Sequence, residues 1–266
     1  MTEVMLADKV KGWWGVTRTW QLYTEEVRCQ FLQEIRVPLQ FYLSHLIWPA
    51  AYVFGALLFG ASGPGLLVGM GLFRTLGSGL GLGLAVARER GQGWMRLKQA
   101  SPMPPLWHFA GKVSVTLLNA VVFALGLLLV AGFAGHLPVT IGEVGVILAM
   151  ITLGVLPFCA LGLALAYAGG PNTAESVIVN VTVALLGLAA LQFFEVGPAV
   201  LEAAVTALNT FSPAYHFMVL AFGGTGLPAL QGGPAWLHGL ALAGLTVAFL
   251  ALAVVLYRRD EGRTHG

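Results

Sequence analysis

The chain has 266 residues, of which 57% are apolar and only 10% charged, with a mean hydropathy of +0.80; an ordinary soluble domain carries about 25% charged residues. That composition excludes a water-soluble protein and leaves a polytopic membrane protein, with no nucleic-acid partner expected. At about twenty residues per crossing, the length accommodates six spans with short loops and no sizeable soluble domain.

The formal net charge of +2 says little, because in a bilayer the placement of charge outweighs its sum. Cys29 and Cys159 have neither the spacing nor the setting of a disulfide framework or a metal knot. The N-terminal region is polar and charged, without the apolar core of a cleavable signal, so the first span is expected to serve as its own insertion signal.

Residues 15–36 place Val16, Trp20, Tyr23, Val27, Phe31 and Ile35 near helical period, with Arg18, Glu25, Glu26, Arg28 and Glu34 on other faces. The pattern predicts an amphipathic helix lying along the membrane surface, with Trp20 and Tyr23 at headgroup depth. A solvated helix packed on another subunit is the alternative. Glu25-Glu26-Val27-Arg28 lies outside the spans and has no paired His and Glu on later helices, so a membrane peptidase is not expected.

Arg36-Val37-Pro38 closes this segment, and spans are expected at about 39–60, 65–87, 113–133, 142–168, 176–196 and 235–257. Gly63-Pro64-Gly65 predicts the first outer turn. After Ala168-Gly169-Gly170-Pro171, the spacing of Asn172 and Glu175 predicts a capped helix start. Residues 197–234 are too broken by Gly and Pro to cross, and suggest two short helices entering the membrane from one side. Gly69, Gly71, Gly77, Gly79, Gly81 and Gly83 stud the second span; they fit either a close-packed subunit seam or the general abundance of Gly in membrane helices.

Thirteen of the fourteen Lys and Arg residues fall before the first span, between the second and third, or after the last. The positive-inside bias predicts cytoplasmic termini and a cytoplasmic segment at 88–112. The remaining cation, Arg74, sits inside the second span. It is a pathway candidate, with snorkelling or pairing to Glu143 or Glu195 as the alternative. His45, His108, His136, His216 and His238 lack the close spacing of a metal site.

The segment 88–112 is a charged, Trp-bearing island between apolar runs. Gln92–Ala100 predicts two helical turns, and Ser101-Pro102-Met103-Pro104-Pro105 a stiff exit. Arg88-Glu89-Arg90-Gly91, then Trp94, Leu97, Ser101-Pro102 and Gly111-Lys112, resembles the charged turn of permease subunits in type-2 ABC exporters. The six-span order, Arg36-Val37-Pro38 and Ser212-Pro213 fit the same layout. That resemblance implies paired permeases and two separate ATPase subunits holding ATP and Mg, gripping the N-terminal helix (Trp20, Tyr23, Glu25, Arg28, Arg36) and a coupling helix (Arg88, Glu89, Arg90, Gly91, Trp94, Leu97). No Gly-x-x-x-x-Gly-Lys-Ser/Thr occurs in the chain, so ATP hydrolysis is expected in the partner. The expected function is outward export of an amphiphile such as a drug, antibiotic, lipid or glycolipid across a bacterial-type cytoplasmic membrane. The alternative is a non-transporting scaffold or sensor that recruits a soluble protein through the same island.

Overall fold

The computed structural model describes residues 20–36, 38–59, 64–94, 105–133, 140–191, 199–224 and 233–264. Among these, the regular structure is entirely α-helical. We label the helices α1 (20–35), α2 (Pro38–Phe59), α3 (Pro64–Gly91), α4 (Pro105–Phe133), α5 (Ile141–Leu153), α6 (Val155–Ala166), α7 (Pro171–Leu191), α8 (Ala199–Asn209), α9 (Pro213–Gly224) and α10 (Ala235–Thr264). Proline opens α2, α3, α4, α7 and α9, the position where its missing N–H would have no intrahelical partner anyway. Five stretches are long and apolar enough to cross a membrane: Leu66–Gly91, Leu106–Phe133, Ile141–Ala166, Pro171–Ala189 and Ala235–Asp260. The chain is therefore a helical multi-pass membrane protein.

The centre of the bundle is α3, and its closest neighbour is α6. A Cβ on Gly83 would stand 2.2 Å from the carbonyl oxygen of Gly162, and one on Gly79 would stand 2.4 Å from Phe158 Cβ. The two backbones touch because neither glycine has a side chain. Gly71 meets Ile151 in the same way. Three of the glycines expected at a subunit seam or simply scattered thus face helices of their own chain, whereas Gly69, Gly77 and Gly81 have open space beyond them. Around this contact lies one core of Leu76, Leu80, Phe158, Ile178 and Phe217. A second core joins α2 to α5 through Tyr52, Leu67, Phe123, Leu127 and Ile151.

Several boundaries differ from expectation. The third span begins as helix at Pro105 rather than 113, because His108, Gly111 and Lys112 find partners that let the helix run on below the apolar stretch. The fourth is interrupted at Gly154 between α5 and α6: Pro157 has no N–H for the Leu153 carbonyl, and the ladder breaks one turn upstream. The expected cap at Asn172 and Glu175 is overturned. The helix already starts at Pro171, and the Glu175 carboxylate pairs with Arg88 instead. The broken 197–234 region contains α8 and α9, joined by a turn at Thr210–Ser212. Phe217 of α9 packs directly on Gly154, where a Cβ would meet its ring at 2.4 Å. Leu97 and most of the coupling-helix expectation lie outside the described residues, as does the turn at Gly63.

The N-terminal helix α1 is docked on α4. Tyr23 Oη hydrogen-bonds Ser114 Oγ at 2.6 Å, Glu26 meets His108, Gln30 meets Lys112 and Glu34 accepts from Asn119. From Glu26 to Glu34, over about 12 Å, rising residue numbers on α1 meet rising numbers on α4, so the two helices run parallel there, while Tyr23 reaches forward to Ser114. Polar side chains of α1 thus face α4.

Candidate functional site

Two helices with polar side chains every three or four residues can bury those side chains only against each other. Glu26 and Gln30 on α1 do so against His108 and Lys112 on α4, exposed Glu34 meets buried Asn119, and Glu89 from the end of α3 completes the arrangement. Glu26 Oε1 lies 2.6 Å from His108 Nδ1, and His108 Nε2 lies 3.1 Å from Glu89 Oε2. Lys112 Nζ lies 2.8 Å from Glu89 Oε1 and donates to Gln30 Oε1 at 3.2 Å. Gln30 Nε2 donates to Glu26 Oε1 at 2.8 Å. The five side chains form a closed ring that fastens α1, α3 and α4. Glu89 lies beyond the apolar run that ends at Ala87. Its two oxygens meet His108 and Lys112, which offset the cost of burying the carboxylate. Gly111 admits α1 to this contact: a Cβ there would meet Glu26 Cγ at 2.9 Å.

The neighbours of Glu89 reach other helices. Arg88 Nε pairs with Glu175 Oε1 of α7 at 3.0 Å, both partly exposed. Arg90 is 7% exposed and pairs with Asp260 Oδ1 of α10 at 2.7 Å. It also donates to the carbonyls of Ala166 and Gly169 at the end of α6, where the helix dipole favours a cation, and its guanidinium carbon lies 4.5 Å from the Tyr167 ring centroid. Three consecutive residues thus bind the end of α3 to α7, to α4 with α1, and to α6 with α10. Glu89 and Arg90 are turned inward, so a docked protein would meet Arg88 and the 52% exposed Trp94 first. Gly91 lies exposed beside Pro171. Trp20 stacks on Tyr23 and Trp107, Glu25 and Arg28 form an exposed pair on α1, and Arg36 is exposed at its end.

From this junction a cleft of about 520 Å³ extends into the bundle between α1, α2, α3 and α4. Its walls include Gln30, Glu34, His45, Arg74, Arg88, Glu89, Lys112 and Asn119. Arg74 lies about fourteen residues from Arg88 on α3, or about 21 Å along the helix. Gly77 and Gly81 line the wall between them. The Nε of Arg74 is buried and has no hydrogen-bond partner among the described residues, and its guanidinium carbon stands 5.7 Å from the Phe123 ring centroid. Of the two expected partners, Glu143 instead closes the capping box of α5 with Thr140, and Glu195 lies outside the described residues. Glu34 lines the same cleft.

A scan against known family models and a comparison with curated proteins gave no match. The functional reading therefore rests on the chain itself. Sequence reasoning singled out Arg74, Arg88, Glu89 and Arg90; it missed Glu26, Gln30, Glu34, His108, Lys112 and Asn119 as one constellation. A signal was present, because both stripes repeat at three to four residues. His216 and His238, far apart in sequence, also meet, with their Nδ1 atoms 2.8 Å apart. Among the described residues no group of three or more His, Cys, Asp or Glu could hold a metal ion.

Proposed function

We propose that this chain is the membrane-spanning subunit of an ATP-driven exporter of the type-2 ABC class that it resembles, with six spans once α2 is counted and both termini in the cytoplasm. It pairs with a second permease, either another copy or a related chain, and carries an amphiphile outward. The hydrolysis of ATP belongs to a separate pair of ATPase subunits docked on the 88–112 segment.

The observation that carries this reading is the joint position of Arg88, Glu89 and Arg90. They tie the end of α3 to four other helices, α4, α6, α7 and α10, stand next to exposed Trp94, and two of them line the cleft that contains Arg74. A force applied at Trp94 reaches the cleft walls through ion pairs rather than through a flexible loop. Binding energy at the island can thereby shift the cleft between two arrangements.

The test is ATP turnover of the chain co-purified with its candidate ATPase in lipid nanodiscs, comparing the native protein with Trp94→Ala. Retained assembly of the folded chain, with loss of permease-stimulated turnover in the variant, supports the exporter. Failure of any ATPase to bind, or unchanged turnover in the variant, refutes it and favours the scaffold.

A further inference from the structure

The charges of the cleft do not all remain available. Lys112 is neutralised by Glu89 at 2.8 Å and Arg88 by Glu175 at 3.0 Å. Beside His45, the cleft then presents one guanidinium, Arg74, and one carboxylate, Glu34, on different walls of the same cavity. Each stands beside an unmet hydrogen-bonding atom. Arg74 Nε is a buried donor without an acceptor, and Asn119 Oδ1 is a buried acceptor without a donor among the described residues. Asn119 is 5% exposed, and its Nδ2 is engaged by Glu34.

Unmet polar atoms this deep in a membrane protein are costly unless something polar fills the space between them. A simple anion would satisfy Arg74 but be repelled by Glu34. A simple cation would meet the reverse. A cavity of about 520 Å³ falls within the range of small-molecule sites. Leu82, Leu84 and Val115 supply apolar wall.

We propose that the cleft binds the headgroup of a zwitterionic amphiphile, its phosphate- or carboxylate-like end on Arg74 and its ammonium on Glu34 and Asn119 Oδ1. The proposal rests on reading the cleft as the exporter's pathway, and names the class of molecule that enters it. The ammonium end matters because it brings a positive charge to Glu34 together with an N–H donor for Asn119 Oδ1. The single-sign alternative, an anionic lipid, can offer Asn119 Oδ1 at most a hydroxyl and places two negative charges in one cavity.

The test uses the purified full chain without any ATPase, in a neutral maltoside detergent. Native mass spectrometry titrates phosphatidylethanolamine, phosphatidylglycerol and diacylglycerol, with water-soluble glycerophosphoethanolamine as competitor. The expected result is phosphatidylethanolamine binding at least about tenfold tighter than either other lipid, reduced about tenfold by Arg74→Gln and by Glu34→Gln. Glu34 is on an exposed rim, so Glu34→Gln keeps the fold and decides the matter if Arg74→Gln does not fold. Competition by glycerophosphoethanolamine at equal concentration supports the same site with a soluble zwitterion as its ligand; failure to compete supports the lipid. Equal binding of phosphatidylglycerol, or undiminished binding in Glu34→Gln, overturns the proposal. Since no ATPase is present, that outcome leaves the exporter reading to its own turnover assay.

Discussion

Replacing Glu89 with Ala removes the acceptor shared by His108, 1% exposed, and Lys112, 8% exposed. Lys112 keeps Gln30, and His108 keeps Glu26, but each loses a charged partner at 2.8 to 3.1 Å. Removing one member of a fully buried ion pair costs about 3–5 kcal/mol. Glu89 itself is 21% exposed, which places the expected loss at the lower end, about 3 kcal/mol. For a chain of this size that corresponds to about 6–12 °C in the apparent unfolding midpoint, measured on the detergent-solubilised protein by intrinsic fluorescence. The reference is Arg88→Ala, whose exposed pair with Glu175 is worth about 0–1 kcal/mol. The double variant Glu89→Leu with Lys112→Met should recover part of the loss, because no uncompensated lysine charge remains. If Glu89→Ala shifts the midpoint by no more than Arg88→Ala, or if the double variant is worse than the single, the ring does not fasten α1, α3 and α4 as described.

Gly83→Ala places a methyl against the Gly162 carbonyl and should lower the midpoint by the equivalent of about 1–3 kcal/mol. Gly81→Ala, with open space beyond it, should be neutral or slightly stabilising through helix propensity; equal effects would count against the tight α3–α6 contact. Arg90→Lys retains the charge but cannot serve Asp260, two carbonyls and the Tyr167 face together. It should therefore cost about as much stability as one or two charged hydrogen bonds, about 2–4 kcal/mol, and an undiminished midpoint would argue against the hub.

The apolar runs, their prolines and the island were legible in the sequence because hydropathy, helix starts and charge exclusion act locally. Each residue carries its own transfer cost into hydrocarbon, and Pro acts within one turn of itself. The same local chemistry marked Arg74 as exceptional. What the sequence could not assign was which polar face meets which. Glu26, Gln30 and Glu34 look solvent-directed on a lone amphipathic helix, and only the parallel docking of α1 on α4 brings them against His108, Lys112 and Asn119. Glu175 has the spacing of a cap, yet Arg88, 87 positions away in sequence, offers a full charge instead. Glycine likewise reads the same wherever it occurs in a span. Only the crossing of α3 and α6 distinguishes Gly79 and Gly83, which bring two backbones into contact, from Gly77 and Gly81, which open onto a cleft. Helices are fixed by interactions within about four residues and by the solvent around them, so the sequence alone determined them; pairings between helices depend on three-dimensional proximity, and only the tertiary structure decided those.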